Sequence, residues 1–467
     1  TNQEVLFELE KVIATINDGH TGLFLPFNNS LKHEYIPLSL LSLDNALVVK
    51  NTIDKRKELI GLKLKSIDGI EIGQLYSLIK KFILHENKYG QKNLFSEYAV
   101  NADLLKFVGV PIISNSVKCL FENPKGKEIT AELTFIPKSE YMLLQDNVLF
   151  ATSVKDKPLW LNTDLGKYWS EKVNDLFYIQ LNSSDIQNKD RDKIESFSKQ
   201  IIKYAASDSI TSIVLDLRMN SGGSITNTSS LFRAFVTIDQ IYPNKKLFVL
   251  IGNKTFSAAS VLATLINRET NAIFIGSPTG GKPNLVGDIG RIQLPNRKIT
   301  VRYSRLHIKP SEAWDARPAI FPDFRAPITY KNFNESIDPA ITIINNYKEK
   351  KDLFDDLIIY KDDVNKLIKI YNELKKNQYN EFMFDVKLLD RIGINLYRDK
   401  VMNSALKIFE LNVSEYPWSP LAHSNFGEIN IEMGNSEIGM KHLEIAFKIH
   451  KGYSKWRDEL NKINLKN

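Results

Sequence analysis

Apolar residues follow three different rhythms along the chain. Between 209 and 276, the runs Ser212–Leu217, Leu247–Ile251 and Ala272–Ile275 are almost unbroken and of strand length, as for strands covered on both faces. Each is followed by a turn and, after the first two, by apolar residues at helical spacing, such as Val261, Leu262, Leu265 and Ile266. This alternation predicts an α/β core. Upstream, Asp175–Asn182 reads as a bordering strand and Ile194–Tyr204 as a helix; downstream, Gly290–Leu294 and Lys298–Ser304 read as a hairpin around Pro295-Asn296-Arg297. From 31 to 150 the segments are shorter. Leu59–Ile70 alternates with period two and closes in an Asp68-Gly69 turn, and Leu75, Leu78, Ile79, Phe82 and Ile83 then mark one helix face. Val117–Phe121 and Ile129–Phe135 flank an Asn-Pro-Lys-Gly turn. At the start, Val5, Leu6, Leu9, Val12, Ile13 and Ile16 predict a helix that ends at Asn17-Asp18-Gly19-His20-Thr21-Gly22.

Beyond 336 only the helical period survives, and it repeats. Gly393 and Gly427, Ala405 and Gly439, and Phe409 and Leu443 are each 34 residues apart. The patterning therefore divides the chain into an N-terminal helix and turn (1–30), a β-rich module (31–150), an α/β core (151–335) and an all-α module (336–467).

Three strand ends of the core carry chemistry. Ser257 stands where the Leu247–Ile251 strand passes into a helix, beside free backbone N–H groups and a positive helix end suited to an oxyanion. Gly222-Gly223 follow the first strand, where paired glycines turn N–H groups into a cleft. Lys282 follows the third, in Ser277-Pro278-Thr279-Gly280-Gly281-Lys282. A lysine serves as a base only when neutral, so Lys282 needs burial to do so.

The segments Leu215-Asp216-Leu217-Arg218-x-Asn220-x-Gly222-Gly223, Ser257-Ala258 and Gly276-x-x-Thr279-x-Gly281-Lys282 resemble the C-terminal processing (tail-specific) serine peptidases. The resemblance implies a crotonase/Clp-type core and a Ser–Lys dyad, with Ser257 as nucleophile and Lys282, 25 residues on, as base. It implies an oxyanion hole from Ala258 and Gly222 or Gly223, a protein or peptide substrate, and no metal or organic cofactor. Ser260 departs from the family, which carries Glu there. The Asp-Gly-His-Thr turn is similar to one in tricorn-like relatives, which makes His20 a second candidate base, with Asp315 as a distant acid. The β-rich module resembles a PDZ-like domain, and the 34-residue period a tetratricopeptide repeat offering a protein partner a surface. A catalytically silent peptide-binding scaffold on the same fold is the alternative.

Composition narrows this little further. Among 467 residues, 43% are hydrophobic and 25% charged, ordinary for a protein with several cores. The net charge of +7 is scattered, leaving no nucleic-acid stripe, and the single cysteine, Cys119, excludes an intrachain disulfide. No apolar run approaches bilayer length. The family resemblance points to a bacterial exported enzyme, periplasmic or on the cell surface.

Overall fold

The computed structural model describes residues 2–24, 33–146, 158–162, 165–187, 190–296, 299–347, 353–376, 384 and 386–450. They form two compact units, residues 1–310 with 317–346, and residues 311–316 with 347–467. The architecture is mixed α/β in the first unit and helical in the second, as the patterning predicts.

The first unit opens with helix α1 (Asn2–Ala14), which leads through the Asp18–Thr21 turn into strand β1 (Gly22–Phe24). The β-rich module follows: β2 (Leu38–Ser42), β3 (Leu47–Thr52), β4 (Lys63–Ile67), helices α2 (Ile72–Ile79) and α3 (Lys88–Tyr98), then β5 (Ser116–Glu122) and β6 (Glu128–Thr134). These strands make an antiparallel sheet in chain order. Alternation is visible in β5, where Val117, Cys119 and Phe121 point into the core beneath Leu75 and Ile79 of α2.

The core sheet has the order β7 (Tyr168–Val173), β8 (Leu176–Leu181), β9 (Ser212–Asp216), β10 (Lys246–Ile251), β11 (Ile273–Gly276) and β14 (Phe324–Arg325). From β8 onward all neighbours are parallel. Helices α4 (Arg191–Ala205), α5 (Ser229–Ile241) and α6 (Ala258–Glu269) supply the crossovers. Their apolar stripes cover the sheet face made by Ile213, Leu215, Leu247, Val249 and Ile251. The opposite face, including Val214, Phe248 and Leu250, is buried too, which explains why these strands show no alternation. Each such side chain contributes about 1.5–3 kcal/mol of burial free energy, so the strand ends rest on a rigid base.

Strands β12 (Leu285–Gln293) and β13 (Thr300–Ile308) form the expected hairpin, longer than the sequence suggests, with Leu285 opposite Ile308. Exposed residues such as Asp288 and Ile289 blur its period. Arg297 and Lys298 at its turn lie outside the described residues. Strand β1 pairs with β13, Gly22 opposite Arg302, and this pairing ties the N-terminal turn to the core.

In the second unit, α7 (Val386–Arg398), α8 (Met402–Glu415), α9 (Pro420–Glu432) and α10 (Ser436–Ile449) form two helix pairs that start 34 residues apart. The small residues permit close approach: a Cβ on Gly393 would sit 2.4 Å from the Phe409 ring, and one on Gly439 2.5 Å from Ile431.

Candidate functional site

Ser257 occupies the turn between β10 and α6 with φ 53° and ψ −124°, a strained conformation for a residue with a Cβ. Several contacts impose it. Thr255 is fully buried; its Oγ1 donates to Leu217 O (2.9 Å), and its carbonyl accepts the N–H groups of Gly280 (2.9 Å) and Gly281 (3.2 Å) and the Ser260 hydroxyl (3.2 Å). Phe256 N–H donates to Asn220 O (3.2 Å). A sharp strand-to-helix turn of this kind lifts the serine hydroxyl above the sheet edge. At 260, Ser lies against Gly281, whose Cβ would come within 2.5 Å of its hydroxyl.

The Ser257 hydroxyl meets His20, whose Nε2 is 2.9 Å from Oγ across 237 residues of sequence. The imidazole also stacks on Phe256, with ring centroids 4.7 Å apart. Gly19 has to be glycine here, because a Cβ would reach the Phe256 ring at 2.7 Å. The turn itself is an Asx turn: Asp18 Oδ1 accepts His20 N–H (2.8 Å), while Oδ2 accepts the hydroxyls of Thr21 and of Ser304 (2.7 Å) on β13.

Two buried carboxylates face the other ring nitrogen. Glu86 Oε1 is 3.5 Å and Asp18 Oδ1 3.7 Å from Nδ1. Burial alone would depress the basicity of His20, but these carboxylates outweigh it and its pKa is pushed up to about 9. Burial likewise works against the Asp18 carboxylate, yet its hydrogen bonds from His20, Thr21 and Ser304 hold it well below the usual carboxyl range. Glu86 is fixed through Oε2, which accepts the Lys282 backbone N–H (2.9 Å). Its neighbour Asn87 caps α3 and donates to Thr279 O (3.1 Å) and Pro318 O (2.7 Å).

Lys282 therefore enters the site through its main chain. Among the described residues no hydrogen bond joins its ammonium to Ser257, where the resemblance to tail-specific peptidases implies one. Of the candidate oxyanion donors, Gly222 N–H is taken by Asn220 Oδ1 (2.8 Å), whereas those of Gly223 and Ala258 have no partner among the described residues. Gly222, at φ 109°, lies against the nucleophile, since a Cβ there would be 2.6 Å from Ser257 Cβ. Asp315 accepts from the Ser311 hydroxyl (2.6 Å) within the second unit. The sequence carries no signal for Glu86, which follows an unremarkable helix; Asp18 is visible in the turn, but nothing local pairs it with the ring.

Residues 175–323 match the profile of peptidase family S41. That stretch contains Ser257, Gly222, Gly223 and Lys282 but neither His20 nor Glu86. The structure is similar to mature CPAF complexed with lactacystin (TM-score 0.52, 13% identity, 74% of this chain and 87% of that one). It is similar also to mature CPAF alone (TM-score 0.50, 13% identity, 75% and 89%). At this identity the likeness concerns the fold. No curated protein matches the sequence significantly. The match to peptidase family S41 is confined to residues 175–323, within the α/β core.

Proposed function

We propose that the protein is a serine endopeptidase in which Ser257 is the nucleophile, His20 the general base, and Glu86 with Asp18 the groups that hold the imidazole. The observation that carries this reading is the 2.9 Å contact between His20 Nε2 and a serine hydroxyl strained into a strand-to-helix turn. Neutral His20 takes the Ser257 proton as Oγ attacks the scissile carbonyl, and the carbonyl oxygen becomes an oxyanion facing Ala258 and Gly223 N–H. The imidazolium then gives its proton to the leaving amine, and an acyl-enzyme remains. Water, deprotonated by the same His20, hydrolyses the ester and restores Ser257. Glu86 and Asp18 favour the imidazolium at both steps. In this scheme Lys282 acts through its backbone, orienting Glu86, and the helical repeats serve protein partners.

The test uses a fluorophosphonate, which phosphonylates an activated serine with loss of fluoride, regardless of natural substrate preference. Stoichiometric labelling of Ser257, lost in His20→Ala and largely kept in Lys282→Ala, is the expected result. Labelling that survives His20→Ala but not Lys282→Ala, with both variants folded, returns the base role to lysine. No labelling of the wild type favours the silent scaffold.

A further inference from the structure

We propose that Asp18, His20 and Glu86 also form a divalent-cation site, and that a Zn²⁺-class ion bound there switches Ser257 off; the switching half rests on His20 being the base. One oxygen or nitrogen from each residue lies within 4.8 Å of the other two. The separations from Nδ1, 3.5 Å to Glu86 and 3.7 Å to Asp18, are too long for hydrogen bonds. They suit ligands that share one ion: tetrahedral bonds of about 2.1 Å place neighbouring donor atoms about 3.4 Å apart.

The donors are also prepared for this. Among the described residues, Nδ1 of His20 and Oε1 of Glu86 are both buried and without a hydrogen-bond partner, and Glu86 is only 5% exposed. Such orphaned polar atoms are costly unless something pairs them. Each carboxylate is anchored through its second oxygen, Glu86 by Lys282 N–H (2.9 Å) and Asp18 by the Ser304 hydroxyl (2.7 Å). Outer bonds of this kind orient metal ligands. An ion that displaces the imidazolium proton meets two carboxylates around a neutral imidazole, whose two negative charges a divalent ion cancels. One nitrogen and two oxygens, with water as fourth ligand, suit zinc, which takes four ligands without a strong geometric demand.

Occupation has a definite consequence for catalysis. Coordination through Nδ1 leaves the neutral ring with its proton on Nε2, the nitrogen that faces Ser257. That nitrogen then donates to Oγ and has no lone pair to receive the serine proton. Ion and base function compete for one imidazole.

The experiment adds Zn²⁺ to chelator-stripped full-length protein and measures bound metal by equilibrium dialysis, alongside fluorophosphonate labelling. His442→Ala removes the separate His423–His442 pair, whose Nδ1 atoms are 2.9 Å apart, as a competing site. One equivalent of Zn²⁺ should bind to this protein and equally to its Ser257→Ala form. Glu86→Gln or Asp18→Asn should weaken binding at least tenfold while near-UV circular dichroism stays native. Zn²⁺ should slow labelling more than tenfold, reversibly with chelator. Binding unchanged in both carboxylate variants, no binding at micromolar Zn²⁺, or one bound equivalent with labelling undiminished overturns the proposal. Failure to label in chelator, with Zn²⁺ still bound by Ser257→Ala, instead refutes the peptidase reading alone.

Discussion

Replacing Glu86 by Gln separates two roles a carboxylate can play beside a catalytic histidine. A full charge 3.5 Å from Nδ1 interacts with imidazolium by about 5 kcal/mol at an effective dielectric of 20, an upper bound. The combined effect of Glu86 and Asp18, after burial opposes it, lifts His20 from 6.5 to about 9, which is about 3 kcal/mol. The two carboxylates stand at 3.5 and 3.7 Å and together exceed this net shift, because burial opposes them, so Glu86 supplies at least about 1.5 kcal/mol, a little over one pH unit. In Glu86→Gln the rise of labelling rate with pH should therefore centre at least about one unit below the wild-type midpoint near 9. The transition state also contains imidazolium, so the alkaline plateau should fall by about the same factor, at least about tenfold. The two effects cancel wherever His20 is already protonated. The variant should thus label Ser257 nearly as fast as wild type at pH 7, and at least about tenfold more slowly at pH 10. The assay is the second-order fluorophosphonate rate between pH 6 and 10.5, with chelator present. An equal loss at both ends would mean that Glu86 only orients the ring, and a wild-type midpoint near 6.5 would refute the electrostatic account.

Ser257→Gly should abolish labelling yet raise Tm, since glycine relieves the φ 53° strain by about 1 kcal/mol; a lower Tm in scanning calorimetry would show that the turn is unstrained. Asp18→Asn should destabilise the first unit at neutral pH. Because the folded carboxyl titrates below its unfolded value, the stabilisation is full above about pH 4 and lost as pH falls further, so the wild-type and variant Tm values should converge there; a gap that persists under acid contradicts this. Gly393→Ala should cost the helical unit about 1–3 kcal/mol through its clash with Phe409, read as an earlier loss of far-UV signal, with Ser257 labelling retained.

What the sequence made legible was whatever a local rhythm encodes. Leu247–Ile251 and Ser212–Asp216 announced buried parallel strands because nothing polar interrupts them, and Ser257 was legible because a strand stops and a helix starts around it. The 34-residue spacing revealed the helix pairs for the same reason. The partner of Ser257 was not local. Lys282 stands in a motif at a characteristic distance and reads as the base, while His20 is legible only as a second candidate through its Asp-Gly-His-Thr turn. The nitrogen that meets Oγ comes instead from 237 residues upstream, through the pairing of β1 with β13. Glu86 had no signal at all, since a carboxylate after a helix is ordinarily solvated and only docking buries it.

The site is therefore a property of an interface within the first unit. The segment matching the peptidase family holds Ser257, the proposed nucleophile, and the proposed oxyanion donors, while the imidazole and both of its carboxylates arrive on the N-terminal turn and the β-rich module. Their placement depends on a few close contacts. Asn87 bonds to Thr279 O and Pro318 O, and Gly90 of α3 sits so near Gly280 that a Cβ would lie 2.7 Å from its carbonyl. Backbone-to-backbone approach of this kind has no slack, because a shift of one ångström would break the 2.9 Å contact between His20 and Ser257. Opening that junction would leave an intact core with an unactivated serine. Activity should thus be lost at the free energy of this local opening, which is smaller than that of unfolding the parallel sheet.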